Sequence, residues 1–210
     1  LRADHLETYG YPKPTEPNIN RLAKEAFVFE LAVAQSNWTL PSLASIFTSK
    51  HVHSHGLYAR AERVSERELT LAEALKPAGY RTVAFTGGLD MSSFYGLDQG
   101  FDEFFDDTGD KPMGSFREIM PKALKWLAAN KRERFFMFLD SYDIHPPFDK
   151  PDAAGKHSGY NGIFKGKVLD YALLRSFKDG EFISGAGKTV LTEPDLKYIN
   201  DRYDAGITYA

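Results

Sequence analysis

The sequence predicts an α/β fold in which a mostly parallel sheet carries helices on its faces. Apolar runs with strand character alternate with segments whose apolar residues recur at helical spacing. One run, Phe-Phe-Met-Phe-Leu-Asp at 135–140, is almost continuously apolar, as expected for a parallel strand covered on both sides. The 210 residues are enough for one substantial domain with a hydrophobic core.

The same patterns predict three strands and five helices. The helix at 115–130 has the clearest start, because Ser115 and Glu118 have the spacing of a capping box. Trp126 lies on the apolar face of this helix, where packing in a core is its expected role. The predicted strands are 27–33, 82–86 and 135–140, and the predicted helices are 18–25, 41–48, 70–78, 115–130 and 195–210.

From about residue 146 to 194 the chain changes character. Gly, Lys, Asp and Ser become frequent, and the aromatic residues follow no clear period. We expect a long insertion or loop region here, which either helps to frame a substrate site or is a surface insertion.

Composition excludes several classes of protein. The net charge of −3 lacks the basic surplus of a general nucleic-acid binder. The chain has no cysteine, which excludes disulfides, thiolate zinc sites and a cysteine nucleophile. No apolar run approaches the roughly 18 residues that a membrane span requires.

A first candidate for chemistry is Thr39, in the segment Trp38-Thr-Leu-Pro-Ser42. Proline is favourable near the first position of a helix, so the segment predicts a helix that begins close to Thr39. Free N–H groups and the helix dipole favour an anion at such an end, and a phosphate or sulfate ester could bind there. A threonine that simply caps the helix is the alternative.

A second candidate is His145, in Asp140-Ser-Tyr-Asp-Ile-His-Pro-Pro-Phe148. Polar residues at the carboxyl end of a parallel strand lie where open α/β sheets usually hold ligands. The prolines after His145 stiffen the turn. The alternative is a structural histidine bonded within its own loop.

Three histidines at alternate positions, His51-Val-His-Ser-His55, could share a face of an extended segment and bind a metal. No carboxylate accompanies them, so the pattern favours a polar loop over a zinc site.

Taken together, these segments resemble the sulfatase family of the alkaline-phosphatase superfamily over essentially the whole chain. The resemblance follows the order and spacing of the family's segments. It is carried by residues 1–11, by Thr-Glu-Pro-Asn-Ile-Asn-Arg-Leu-Ala at 15–23, by 27–36, by the nucleophile-like motif at 38–48, by His55-Gly56, by Gly-Phe-Asp-Glu-Phe at 100–104 and by 143–148.

The resemblance implies a catalytic domain of this fold, of which 1–210 is a truncated, N-terminal part that we expect to be inactive alone. It assigns the nucleophile and a metal contact to Thr39, and a role on the substrate or leaving-group side to His145. Trp38, Ser42 and Asp143 would be substrate-binding neighbours. It further implies a divalent metal (Ca, Mg, Mn or Zn), most of whose ligands would lie outside this chain.

Two departures from the family pattern leave the ester class open. Sulfatases convert a Cys or Ser at the nucleophile position to formylglycine, whereas Thr39 resembles the unmodified threonine of related phosphoglycerol transferases. The signature arginine falls at Leu43, and the expected Lys-x-His falls at Gly87-Gly-Leu-Asp90. A sulfuric ester hydrolase, a phosphoesterase that uses Thr39 and a non-catalytic module of the same fold all remain compatible.

The partner implied by the resemblance is a sulfate or phosphate ester of a small molecule, glycan or lipid, and not a nucleic acid. Family members are often exported or membrane-tethered, which favours an extracytoplasmic or membrane-associated location for the full-length protein.

Overall fold

The computed structural model describes residues 1–109, 113–148, 164, 173–174, 176–178, 181–184 and 187–210. These residues form two compact units. One comprises Leu31–Tyr142, and the other combines Leu1–Glu30 with Asp143–Ala210.

The unit Leu31–Tyr142 is built on a parallel three-stranded sheet. Strand β1 (Arg81–Phe85) lies between β2 (Glu103–Phe105) and β3 (Phe135–Leu139), and both pairings are parallel. The register aligns Phe85 with Phe105 on one side and with Leu139 on the other. All three strands therefore end at the same edge of the sheet, and the loops that follow them start there.

The described residues of this unit include four α-helices: α2 (Thr39–Thr48), the short α3 (Val52–His55), α4 (Leu71–Leu75) and α5 (Phe116–Asn130). Capping boxes begin two of them. At the start of α4, the side chains of Thr70 and Glu73 each accept the backbone N–H of the other residue. Ser115 and Glu118 form the same capping box at the start of α5.

Two hydrophobic clusters hold the unit together. The larger one is built around α2 and contains Leu40, Leu43, Phe47, Met91 and Tyr142 among its members. The smaller one packs α5 on β1, where Ile119, Ala123 and Trp126 cover Val83 and Phe85. Trp126 is thus a core residue, as its position on the helix predicts.

The other unit contains α1 (Pro17–Ala23), three antiparallel strands and the long helix α6 (Glu193–Tyr209). The strands are β4 (Phe177–Lys178), β5 (Glu181–Ser184) and β6 (Gly187–Val190), in that order. Asp204 on α6 ties the N-terminal segment to the helix, because it binds His5 Nδ1, the Tyr11 hydroxyl and Lys13 Nζ, each at 2.7 Å.

The predicted strand at 27–33 is wrong. The backbone there belongs to no strand, and its apolar side chains lie in solvent, with Phe27 98% and Leu31 83% exposed. An extended segment becomes a strand only when a neighbour pairs with its N–H and C=O groups. No strand within the described residues does so.

The other predicted elements are present. Both remaining strands and all five helices are confirmed, with small shifts at their ends. The helix predicted at 70–78 consists of α4 followed by a 3₁₀ turn at Lys76–Ala78. Pro77 has no N–H, so the α-helical hydrogen bonds do not continue there. The insertion predicted at 146–194 lies largely outside the described residues, although β4–β6 fall inside it. Its boundaries stay a prediction.

None of the helices that the structure describes is long and apolar enough to cross a membrane.

His55 gives the unit Leu31–Tyr142 a pH-dependent stability. Its ring is buried, Nδ1 accepts the N–H of Leu57 at 3.1 Å, and Nε2 lies 3.0 Å from the Ser45 hydroxyl. Burial lowers the pKa of His55 from its ordinary value. A histidine with a lowered folded-state pKa stabilises the fold above its unfolded-state pKa of about 6.5, and acidification removes that contribution.

We therefore expect the free energy of unfolding to fall between pH 7 and pH 5, and to fall less in His55→Gln. Urea unfolding at a series of pH values measures this. The control is His53→Gln, since His53 is exposed on the same short helix. Equal slopes for wild type and His55→Gln would contradict the assignment.

Candidate active site

Thr39 is the first residue of α2, as the sequence predicts. The preceding residue, Trp38, has extended backbone (φ −144°, ψ 163°) and provides no side-chain cap. Trp38 packs against the larger hydrophobic cluster, and Leu40 lies fully inside it. Both neighbours of Thr39 are therefore anchored, and the half-buried Thr39 side chain has a fixed place at the helix end.

The N-terminus of α2 has the donors that an anion requires. The first N–H groups of a helix have no partner within it, and Pro41 contributes none. The first bond back to the cap runs from Ser42 N–H to the Trp38 carbonyl, at 3.4 Å. The N–H groups of Thr39 and Leu40 thus lie ahead of the first helical bond, beside the Thr39 hydroxyl, where oxygen atoms of an ester could accept them.

The loop after β1 is fixed by close packing. Glycine is required at Gly87, because a Cβ there would lie 2.8 Å from the Tyr142 ring and 2.9 Å from the Gly114 carbonyl oxygen. Gly114 N–H donates to the Gly87 carbonyl, and Tyr142 N–H donates to the Gly114 carbonyl. The loops after β1 and β3 are therefore joined at the carboxyl edge of the sheet.

Asp90 and Tyr142 hold this edge together through side chains. The N–H of Asp90 donates to the Tyr142 hydroxyl at 3.0 Å. Burial and the nearby carboxylate of Asp90 raise the pKa of the Tyr142 phenol, which stays protonated. The carboxylate of Asp140, at the end of β3, accepts the N–H of Ser141, and burial raises the pKa of Asp140.

Asp143 and His145 belong to the other unit. Asp143 is 2% exposed. The ring nitrogen Nδ1 of His145 donates to the carbonyl oxygen of Pro146 at 2.6 Å, so the neutral ring carries its proton on Nδ1. This is the local bond that a loop-stabilising histidine would make, and it also orients Nε2. The predicted roles of Asp143, His145, Trp38 and Ser42 stay predictions.

The three histidines at 51–55 do not converge. His55 is buried against Ser45, while His51 and His53 stack on the surface with ring centroids 5.6 Å apart. In the part of the chain that the structure describes, no group of three or more His, Asp or Glu side chains could hold a metal. These residues alone do not fit a metal site.

One charged pair at the carboxyl edge was missed by sequence reasoning. Arg60, in the loop after α3, donates from Nε and Nη2 to the two carboxylate oxygens of Asp90, each at 2.6 Å. Asp90 could have been noticed as a carboxylate close to a strand end. Arg60 is 30 residues away in the sequence, and no pattern there connects the two.

The order of these elements matches a known family. The sequence model of the sulfatase family fits residues 1–209. The chain belongs to the sulfatase family.

Among curated relatives, an N-acetylglucosamine-6-O-sulfatase from Bacteroides thetaiotaomicron is 30% identical over 111 residues. The match covers 53% of this chain and 19% of that protein, so the chain spans a minor part of the relative's length.

Solved structures identify the fold. A phosphonate monoester hydrolase from Agrobacterium radiobacter superposes with a TM-score of 0.69 at 18% identity, over 99% of this chain and 54% of that one. A protein solved with its substrate D-glucosamine-2-N,6-O-disulfate gives a TM-score of 0.55 at 21% identity, over 76% and 39%. The fold of this sulfatase-family chain is that of the alkaline-phosphatase superfamily.

Leu43, which the resemblance aligns with the signature arginine of sulfatases, is a core residue. It is 6% exposed and packs in the larger hydrophobic cluster on the inner face of α2. Ile46, three residues further on, is 55% exposed. In this sulfatase-family chain, the Leu43 side chain therefore packs α2 against the core and is not positioned to contact solvent or a substrate.

We expect Leu43→Arg to destabilise the fold by several kcal/mol, since it buries a charge that has no partner in the apolar cluster. Ile46→Arg on the same helix is the matched control and should change the free energy of unfolding by less than about 0.5 kcal/mol. Chemical denaturation of both variants measures the difference. Equal stability of the two would mean that the Leu43 position is open to solvent.

Proposed function

We propose that this chain is part of the catalytic domain of a sulfatase-family hydrolase that cleaves sulfate esters, with Thr39 as nucleophile. The observation that carries the proposal is the family match over residues 1–209. Thr39 is proposed as the nucleophile because its segment, Trp38-Thr-Leu-Pro-Ser42, resembles the family's nucleophile motif. The position of Thr39 at the first residue of α2, beside unpaired helix N–H groups, supports it.

The proposed reaction is an in-line displacement. The Thr39 hydroxyl loses its proton, Oγ1 forms a bond to the sulfur atom, and the bond from sulfur to the ester oxygen breaks. The leaving oxygen takes a proton, and water then hydrolyses the threonine ester to release sulfate. The N–H groups at the start of α2 would stabilise the negative charge on the non-bridging oxygens.

The remaining predicted residues act around this step. His145 is proposed to serve the substrate or leaving-group side, where the imidazolium form, protonated on both ring nitrogens, could donate its Nε2 proton to the departing oxygen. Trp38, Ser42 and Asp143 are proposed to bind the substrate. Support for these roles comes from the resemblance of the segments 38–48 and 143–148 to family motifs.

Metal dependence is general in this superfamily, and a contact of Thr39 with a divalent cation is part of the proposal. The described residues do not form a set of metal ligands.

The choice of sulfate over phosphate rests on the relatives. The curated relative at 30% identity is named as a sulfatase that acts at the 6-O position of N-acetylglucosamine. Thr39 itself favours the second candidate, a phosphate ester, because an unmodified threonine hydroxyl can form a stable phosphoester. The substrate would be an ester of a small molecule, glycan or lipid.

The test compares an aryl sulfate with the matching aryl phosphate in the longest natural polypeptide that contains these residues. Thr39→Ala should lower kcat on the preferred ester by a factor on the order of 10⁴, because the nucleophile is lost. Thr39→Ser keeps a hydroxyl and should keep measurable turnover.

Ser54→Ala is the control, since Ser54 is an exposed hydroxyl residue on α3. It should leave kcat unchanged. Turnover that survives in Thr39→Ala would remove Thr39 from the mechanism. If the wild type cleaves neither ester with divalent metal added, the chain belongs to a non-catalytic member of the family.

A further inference from the structure

Arg60 is an exposed cation held in one orientation by a buried carboxylate. Its Nε and Nη2 atoms donate to the two oxygens of Asp90, each at 2.6 Å. The Asp90 side chain is 8% exposed, whereas the Arg60 side chain is 62% exposed. One edge of the guanidinium is thus committed to Asp90, and the donors on Nη1 remain on the exposed side.

The carboxylate that holds Arg60 is itself fixed. The N–H of Asp90 donates to the Tyr142 hydroxyl, and the Thr86 hydroxyl donates to the carbonyl of Met91, the next residue, at 2.9 Å. Asp90 lies in a 3₁₀ turn, Leu89–Met91, that packs against α2. Arg60 is therefore oriented by a rigid part of the unit, unlike a cation on a free surface loop.

The turn that carries Asp90 packs against α2, the helix that begins at Thr39. Trp38 and Leu40, on either side of Thr39, pack in one hydrophobic cluster with Met91 and Tyr142. These last two residues flank and hold Asp90. Asp90 follows β1 at the carboxyl edge of the sheet, and the guanidinium of Arg60 is mostly in solvent, so Arg60 lies at the rim of that edge.

A guanidinium with free N–H groups at the rim of a ligand-binding edge has a definite preference. It binds carboxylate, sulfate and phosphate oxygens through charge-assisted hydrogen bonds. Asp90 is buried beneath Arg60 and paired with it, so an incoming anion meets the exposed donors of Arg60 first. At the rim, such a donor reaches a group of the substrate other than the one that reacts.

We propose that Arg60, positioned by Asp90, binds a second anionic group of the substrate and makes the enzyme selective for esters that carry an additional sulfate, phosphate or carboxylate. This inference rests on the proposed reaction at Thr39. Arg60 is here a specificity-determining residue and takes no part in bond cleavage.

The kinetic test uses two aryl esters that differ by one added carboxylate on the ring. Arg60→Ala should lower kcat/KM for the doubly anionic ester about 10- to 100-fold. This is the change expected when one hydrogen bond to a charged group is lost. The loss should appear in KM, while the singly anionic ester changes by less than about twofold.

Two further variants separate the roles of the pair. Arg60→Lys keeps the charge but loses the planar fork, so it should recover only part of the selectivity. Asp90→Asn should loosen the orientation of Arg60 and lower the selectivity with Arg60 still present.

The matched control is Arg63→Ala, since Arg63 is exposed in the same loop, and it should leave the kinetics of both esters unaffected. Equal losses on both esters in Arg60→Ala, or none, would overturn the proposal.

A binding experiment tests Arg60 without turnover. Inorganic sulfate is titrated at low ionic strength into protein labelled for detection of arginine Nε–Hε resonances by NMR. The Arg60 signal, identified by its loss in Arg60→Ala, should shift and saturate, and the Arg63 signal should not. No saturable shift at Arg60 would overturn the anion site. A shift at Arg60 in a protein that cleaves neither ester would retain the anion site and reject the reaction at Thr39.

Discussion

The parallel pairing of β1 with β2 and β3 is the constraint on which the unit Leu31–Tyr142 depends. The inner residues of β1 are fully buried and bonded on both sides, with Val83 and Ala84 at zero exposure. Parallel strands in register end together, so the polar loops after Phe85 and Leu139 emerge at one edge. Every candidate for chemistry in this unit is attached to that edge or to the helix packed beside it.

Close packing then turns this edge into a rigid platform. A side chain at Gly87 would collide with Tyr142 and with the Gly114 backbone, and the three residues are linked by backbone bonds. Tyr142 contributes its ring to the hydrophobic cluster and its hydroxyl to the Asp90 N–H. One aromatic residue thus couples the core under α2 to the polar loop that orients Arg60.

The charged residues of the candidate site differ from those that the resemblance to sulfatases implies. By that resemblance the signature arginine falls at Leu43, which faces the core, and the Lys-x-His pair falls in the segment that ends at Asp90. The exposed cation at this edge comes instead from Arg60, in a different loop.

The sequence alone determined the α/β class, two of the three strands of the parallel sheet, all five predicted helices and the place of Thr39 at a helix start. These features depend on local periodicity, capping residues and proline, which act within a few positions of the chain. The sequence placed Asp143 and His145 after a strand for the same reason, and their roles stay predictions.

Only the tertiary structure decided the rest. The apolar run at 27–33 has the composition of a strand but no pairing partner among the described residues, and composition does not supply one. The short β2 was missed, because its three residues become a strand through their bonds to β1. The Arg60–Asp90 pair spans 30 positions, and it forms because the loop after α3 and the turn after β1 meet in space. Pairing and long-range contacts depend on which segments meet in space, and the local sequence does not contain that information.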